Sequence, residues 1–133
     1  MPHLARRSFL ALYSALILTL SVPLLASPAS AAQPFDRAAF EAAQAAGKPI
    51  LVDVTAPWCP TCKAQAPILQ RLLGEMPQMV AFEVDFDTKK DVLKEFRVQS
   101  QSTLIVFNGR REVARSTGDT NPDSIKALLS KGL

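Results

Sequence analysis

Residues 50–67 read ILVDVTAPWCPTCKAQAP. The first six form a nearly unbroken apolar run rich in branched side chains, the pattern of a strand buried on both faces at a central parallel position. The chain's two cysteines, Cys59 and Cys62, follow directly, and helical spacing resumes at Ile68, Leu69, Leu72, Leu73 and Met76. A strand that runs straight into a helix places Cys59 at the helix N-terminus and Pro60 at the first helical position, where its missing N–H costs nothing. The helix dipole and the amides of Thr61 and Cys62 then favour a thiolate at Cys59, which marks it as the nucleophile of the pair. Cys62 lies three residues on, on the same helical face, at an α-carbon separation of about 5–6 Å that a disulfide can bridge. Pro67 is expected to kink the helix, because it lacks an N–H and crowds the preceding turn.

Two thiols at this spacing admit three readings. A structural zinc site wants four Cys or His ligands, and these two cysteines fall short unless two molecules or outside ligands complete it. An inert staple closing so small a loop removes little chain entropy. Redox exchange is the reading that a Cys-x-x-Cys pair beside a strand–helix–strand pattern favours.

The remaining elements follow from local patterns. The segment 36–48, DRAAFEAAQAAGK, reads as a helix capped by Asp36 and ended by Gly47. MVAFEVDFD (79–87) alternates as a strand, TKKDVLKEFRV (88–98) is a short helix with Thr88 as cap, and TLIVF (103–107) is another strand. Asn108-Gly109 signals a hairpin turn that returns EVARST (112–117), and NPDSIKALLSKG (121–132) is a terminal helix with Asn121 as cap, Pro122 in its first turn and Gly132 at the stop. The order α-β-α-β-α-β-β-α gives an α/β fold, with a central mixed sheet of about four strands and helices on both faces.

The first 31 residues read differently. Arg6 and Arg7 precede an apolar stretch from Phe9 to Ala26, and small residues follow up to ASAAQ (29–33). This is the layout of a secretory signal peptide cleaved after Ala31, and RRSFLA (6–11) resembles the twin-arginine export pattern, with the general secretion route as the alternative. The stretch is short for a membrane anchor and is broken by Ser14, Thr19, Ser21 and Pro23. Cleavage leaves residues 32–133 as the domain and reduces 15 basic side chains to 13 against 12 acidic ones, a net charge of +1. No basic tract remains to support nucleic-acid binding. The only histidine, His3, leaves with the signal. An exported chain sits outside the reducing cytosol, where its two thiols tend to pair.

VDVTAPWCPTCKAQAP (52–67) resembles the active-site segment of the thioredoxin family: an apolar strand with an Asp, then Trp-Cys-x-x-Cys-Lys, and a Pro five residues after the second cysteine. The likeness continues through VDFD (84–87), TLIVFNG (103–109) and Gly118, so it spans nearly all of residues 32–133. It implies a thioredoxin-like fold and thiol–disulfide exchange without a cofactor, with Cys59 attacking, Cys62 resolving, and the two joined as a disulfide in the oxidised state. Trp58 matches the flat apolar residue offered to a partner, and Pro60, Thr61, Gln101, Ser102 and Thr103 fall where substrate docks. Asp53, a carboxylate inside an apolar strand, should have a raised pKa. The resemblance gives it the role of relaying the Cys62 proton through water. Where thioredoxins place a lysine near this acid, Glu83 aligns instead, and a second carboxylate would raise the pKa further.

One departure stands out. Thioredoxins carry a cis-proline before the Thr that opens the strand at 103, and this chain has Ser102 there. A cis bond before a non-proline residue costs about 2.5–4 kcal/mol, so the Gln101–Ser102 bond is either strained cis or on a trans path. Its hydroxyl is placed to bond substrate or thiolate, and loss of the proline opens the thiols to metal. The alternative function is accordingly a metal-binding carrier or chaperone using the same pair. Pro60-Thr61 leaves the electron direction open, because families with Pro after the first Cys span about −230 to −120 mV. The small size of the chain, without an inserted helical domain, favours a monomeric periplasmic protein-disulfide reductase. The expected substrates are oxidised proteins, apocytochrome c among them, with a membrane thiol-electron transporter as donor.

Overall fold

The computed structural model describes residues 31–133. The export signal expected over residues 1–31 therefore lies outside the described residues, save Ala31.

The apolar run at 50–55 forms β2 (Pro49–Thr55) at the middle of a five-stranded sheet ordered β1-β3-β2-β4-β5. β1 is Gln33–Pro34, β3 Val80–Asp85, β4 Thr103–Asn108 and β5 Arg111–Thr117. β1, β3 and β2 run parallel, while β4 and β5 are antiparallel to their neighbours. The helices are α1 (Arg37–Ala45), α2 (Pro60–Glu75), α3 (Lys90–Glu95) and α4 (Pro122–Ser130). The expected four strands are thus five. β1 is two residues long and is held by pairing with β3, continued by Phe35 N–H donating to the Glu83 carbonyl at 2.8 Å. No local pattern announces so short a strand.

The period-2 alternation of the strands sorts the core into two halves. Ile50, Val52 and Val54 of β2 face one side with Phe35, Phe40, Phe82, Ile105 and Phe107, beneath α1 and α3. Leu51 faces the other with Leu104 and Val106, against Leu69, Leu72 and Leu73 of α2 and Ile125 and Leu129 of α4. The same alternation turns Asp53 and Glu83 toward α2, in register with each other across β2 and β3.

Asp36 and Asn121 cap their helices as expected, accepting from Ala39 N–H and from the N–H groups of Asp123 and Ser124. Gly47 stops α1 in the left-handed conformation at φ 67°. Thr88 does not cap α3: the helix starts later, from Lys89, with no side-chain cap. The Thr88 N–H and hydroxyl both donate to Asp85 Oδ1, which also takes Asp87 N–H, so one carboxylate organises the turn after β3. Those hydrogen bonds, led by the Thr88 hydroxyl, hold the Asp85 carboxyl below its ordinary range. Pro67 sits inside α2 without ending it.

Candidate active site

β2 delivers the chain to Ala56, and a turn closed by Cys59 N–H to the Ala56 carbonyl (3.1 Å) leads into α2. Cys59 is itself the N-cap residue, with extended backbone (φ −82°, ψ 111°), and Pro60 follows at the first helical position. The Cys59 sulfur does the work of a capping oxygen: Cys62 N–H donates to it at 3.1 Å. Thr61 N–H, also expected to point there, makes no such bond. Cys59 and Cys62 are joined as a disulfide with their α-carbons 5.3 Å apart. The pair packs with Ala56 and the ring of Phe86 in a small cluster of its own. Cys59 is 1% and Cys62 6% exposed, so a partner reaches the sulfurs only along a narrow approach.

Trp58 flanks that approach at 54% exposure, and its Nε1–H donates to Asp87 Oδ2 at 2.8 Å. Asp87 leaves no local signal in the sequence, because its link to Trp58 spans 29 residues. Pro60 is exposed and Thr61 half-buried beside the disulfide.

The segment Gln101–Thr103 enters β4 beside the strand that leads to the disulfide, Thr103 pairing with Val54 of β2. No peptide bond among the described residues is cis, so Gln101–Ser102 takes the trans path. Ser102 instead adopts the left-handed region at φ 56° while buried. Its hydroxyl donates to the Gln101 carbonyl at 2.6 Å rather than toward the thiols. Its carbonyl accepts from Gly118 N–H (2.9 Å) and from Gln65 Nε2 (3.3 Å). The Thr103 hydroxyl is likewise committed, donating to the Ser100 carbonyl at 2.8 Å and sharing a 3.0 Å bond with Thr117 Oγ1. Gln101 is half-buried. Gln65 is a second residue that sequence reasoning missed, since a glutamine in a helix reads as a solvent-facing residue.

Asp53 lies behind α2, half-buried, on the wall of a cavity of about 200 Å³ shared with Glu83, Ala66 and Leu69. Ala66 is one helical turn beyond Cys62, which places the cavity under the resolving cysteine's helix. Burial, with Glu83 as a lesser cause, pushes the Asp53 carboxyl up to about 7. The cavity has room for several waters at about 30 Å³ each. Among the described residues no group of three or more His, Cys, Asp or Glu side chains is placed to hold a metal ion.

The disulfide at a helix N-terminus, with an exposed indole beside it, has the arrangement of a thiol-exchange pair, and Asp53 lines the cavity under the same helix. Known proteins match the chain. The Thioredoxin family model matches residues 31–131. Thioredoxin of Chlamydia trachomatis serovar D is 38% identical over 82 residues, 62% of this chain and 80% of that protein. Thioredoxin-1 of Saccharomyces cerevisiae is 34% identical over 91 residues, covering 68% and 87%. Among solved structures, Trxlp from Edwardsiella tarda EIB202 shares 44% identity with a TM-score of 0.72, over 74% of this chain and 98% of that one. Thioredoxin NaTrxh from Nicotiana alata shares 26% at a TM-score of 0.70, over 80% and 96%.

Proposed function

The chain belongs to the thioredoxin family, as a thiol–disulfide oxidoreductase with a redox cysteine pair, and from that premise we propose that it is a periplasmic protein-disulfide reductase. What supports the direction is the continuity of the fold after the cysteine pair: α2 (Pro60–Glu75) leads into β3 (Val80–Asp85) through four residues, with no helical domain inserted between them.

In the proposed reaction the Cys59 thiolate attacks one sulfur of a substrate disulfide, forming a mixed disulfide and releasing the other substrate sulfur as thiolate. Cys62 then loses its proton through water to Asp53 and attacks Cys59 Sγ. This releases the second substrate thiol and regenerates the Cys59–Cys62 disulfide. Two electrons pass from the dithiol to the substrate. Trp58 and the Gln101–Thr103 segment flank the approach and serve as docking walls. Substrates are oxidised polypeptides, apocytochrome c among them. A membrane thiol-electron transporter returns the electrons, and the chain works as a monomer. The sequence of residues 1–31 supports export to the periplasm.

The reduction potential tests the direction. A value near about −270 mV is expected, and one near about −120 mV would make the protein an oxidase. N-terminal sequencing of the exported protein tests the location, with Ala32 as the expected first residue.

A further inference from the structure

The core-facing row of α2 runs Cys62, Gln65, Leu69, Leu72, Leu73. Four of the five suit an apolar core. Gln65 does not, yet it is 1% exposed. Its Nε2 amide donates to the Asp119 carbonyl at 2.7 Å and to the Ser102 carbonyl at 3.3 Å, while its Oε1 meets no protein donor. A buried amide with one end unsatisfied is a poor choice for packing alone, and a leucine would fill the row without that cost. What the glutamine adds is its two donors.

Both acceptors lie at the open end of the β4–β5 hairpin. Ser102 immediately precedes β4 and Asp119 lies two residues after β5, and the first residue of β4, Thr103, pairs with the last of β5, Thr117. Gln65 therefore ties both strands' loose ends to the redox helix, one turn beyond Cys62. The tie bears on a strained residue, because Ser102 is a non-glycine residue at φ 56°. Such a conformation persists where surrounding bonds over-determine it. Here those bonds are the Gln65 and Gly118 donors to the Ser102 carbonyl and the Thr103 hydroxyl on Ser100.

We propose that Gln65 is a positioning residue that ties the Gln101–Thr103 segment to the helix carrying Cys62, and thereby sets how an extended polypeptide aligns its disulfide for exchange. The inference rests on the reading of this site as a polypeptide-exchanging one. A small disulfide needs little alignment along the segment, so the tie discriminates between the two kinds of substrate.

Gln65→Leu is compared with the unaltered protein on insulin and on 2-hydroxyethyl disulfide. The expected result is a loss of kcat/KM on insulin about tenfold greater than on the small disulfide, carried mainly by KM. Equal losses on both, or none on insulin, overturn the proposal. Should leucine prevent folding, Gln65→Met serves in the same comparison. In the unaltered protein, the Gln65 side-chain amide protons should exchange with solvent far more slowly than those of exposed Gln70. Equal rates break the tie and the proposal with it. If the unaltered protein exchanges neither substrate, it is the underlying reading of the site that fails.

Discussion

The two faces of the sheet are built from the same alternating strands and do opposite things with them. Under α1 and α3 the face is aromatic: Phe35, Phe40, Phe82, Phe96 and Phe107 meet ring to ring at 5.4–5.9 Å, all edge-on or tilted, in a cluster that holds no charged residue. Under α2 the face carries Asp53 beside a cavity and Gln65 with an orphaned oxygen, next to the disulfide. Each of those polar groups costs stability, and the aromatic face supplies what they consume. Stability and chemistry are thus separable by side of the sheet, and substitutions on each side should give opposite readouts.

The largest effect belongs to the thiol. Cys59→Ser should reduce insulin-reducing turnover by about 10⁴-fold or more, a loss exceeding about 5 kcal/mol in transition-state stabilisation, while the protein stays folded. Substantial residual turnover would mean that Cys62 attacks by itself. On the opposite face, Phe40→Ala removes a ring in contact with four others and should cost about 3–5 kcal/mol of unfolding free energy. The thiol-exchange rate of the folded protein should hold. A comparable fall in that rate at a temperature where the variant is folded would erase the division between the faces.

Asp53 tests the division in a single residue, because its two readouts should move in opposite directions. A carboxyl raised from 3.8 to about 7 in the folded state contributes stability that is fully present below 3.8 and is lost as pH rises through about 7. Asp53→Asn should therefore stabilise the protein at pH 8 and leave it little changed at pH 3. The gain is about 2–4 kcal/mol, since the full shift corresponds to about 4 and water in the cavity lessens it. The same variant should slow turnover at pH 7 by about tenfold and remove the inflection near pH 7 from the rate profile. Denaturant titration at the two pH values and the profile itself decide it. An unchanged profile would strip Asp53 of its part in proton transfer.

How much of this was legible in the sequence follows the same line. Cys59, Cys62 and the anomaly of Asp53 were readable because each breaks a local pattern: two thiols at a helix start, and a carboxylate within ILVDVT. Glu83 was readable by register, since strand neighbours follow once the strands are placed. The helix caps Asp36 and Asn121 were readable because they act on their own first turns. Gln65 was not, since only the strand ends at Ser102 and Asp119, far away in sequence, turn a polar helix residue into a buried one. The left-handed Ser102 left no signal either, because serine carries none of the freedom that glycine advertises at φ > 0. Thr88 misled as a cap because Asp85, three residues earlier, claims both its donors.

The smallest expected effect concerns the wall of the site opposite Gln65. Trp58 is the chain's only tryptophan, exposed and held by a single hydrogen bond to Asp87. A bond of this kind is worth about 0.5–1.5 kcal/mol, so Asp87→Ala should raise KM for insulin by about two- to tenfold and leave kcat nearly intact. Freed of its partner, the indole should also tumble more readily, lowering the steady-state anisotropy of intrinsic fluorescence. No hydrogen bond joins Trp58 or Asp87 to Gln65 or Ser102, so the Asp87→Ala and Gln65→Leu losses on insulin should multiply in the double variant. A double variant no worse than Gln65→Leu alone would mean that the two walls act as one surface, and that docking is governed from the Ser102 side alone.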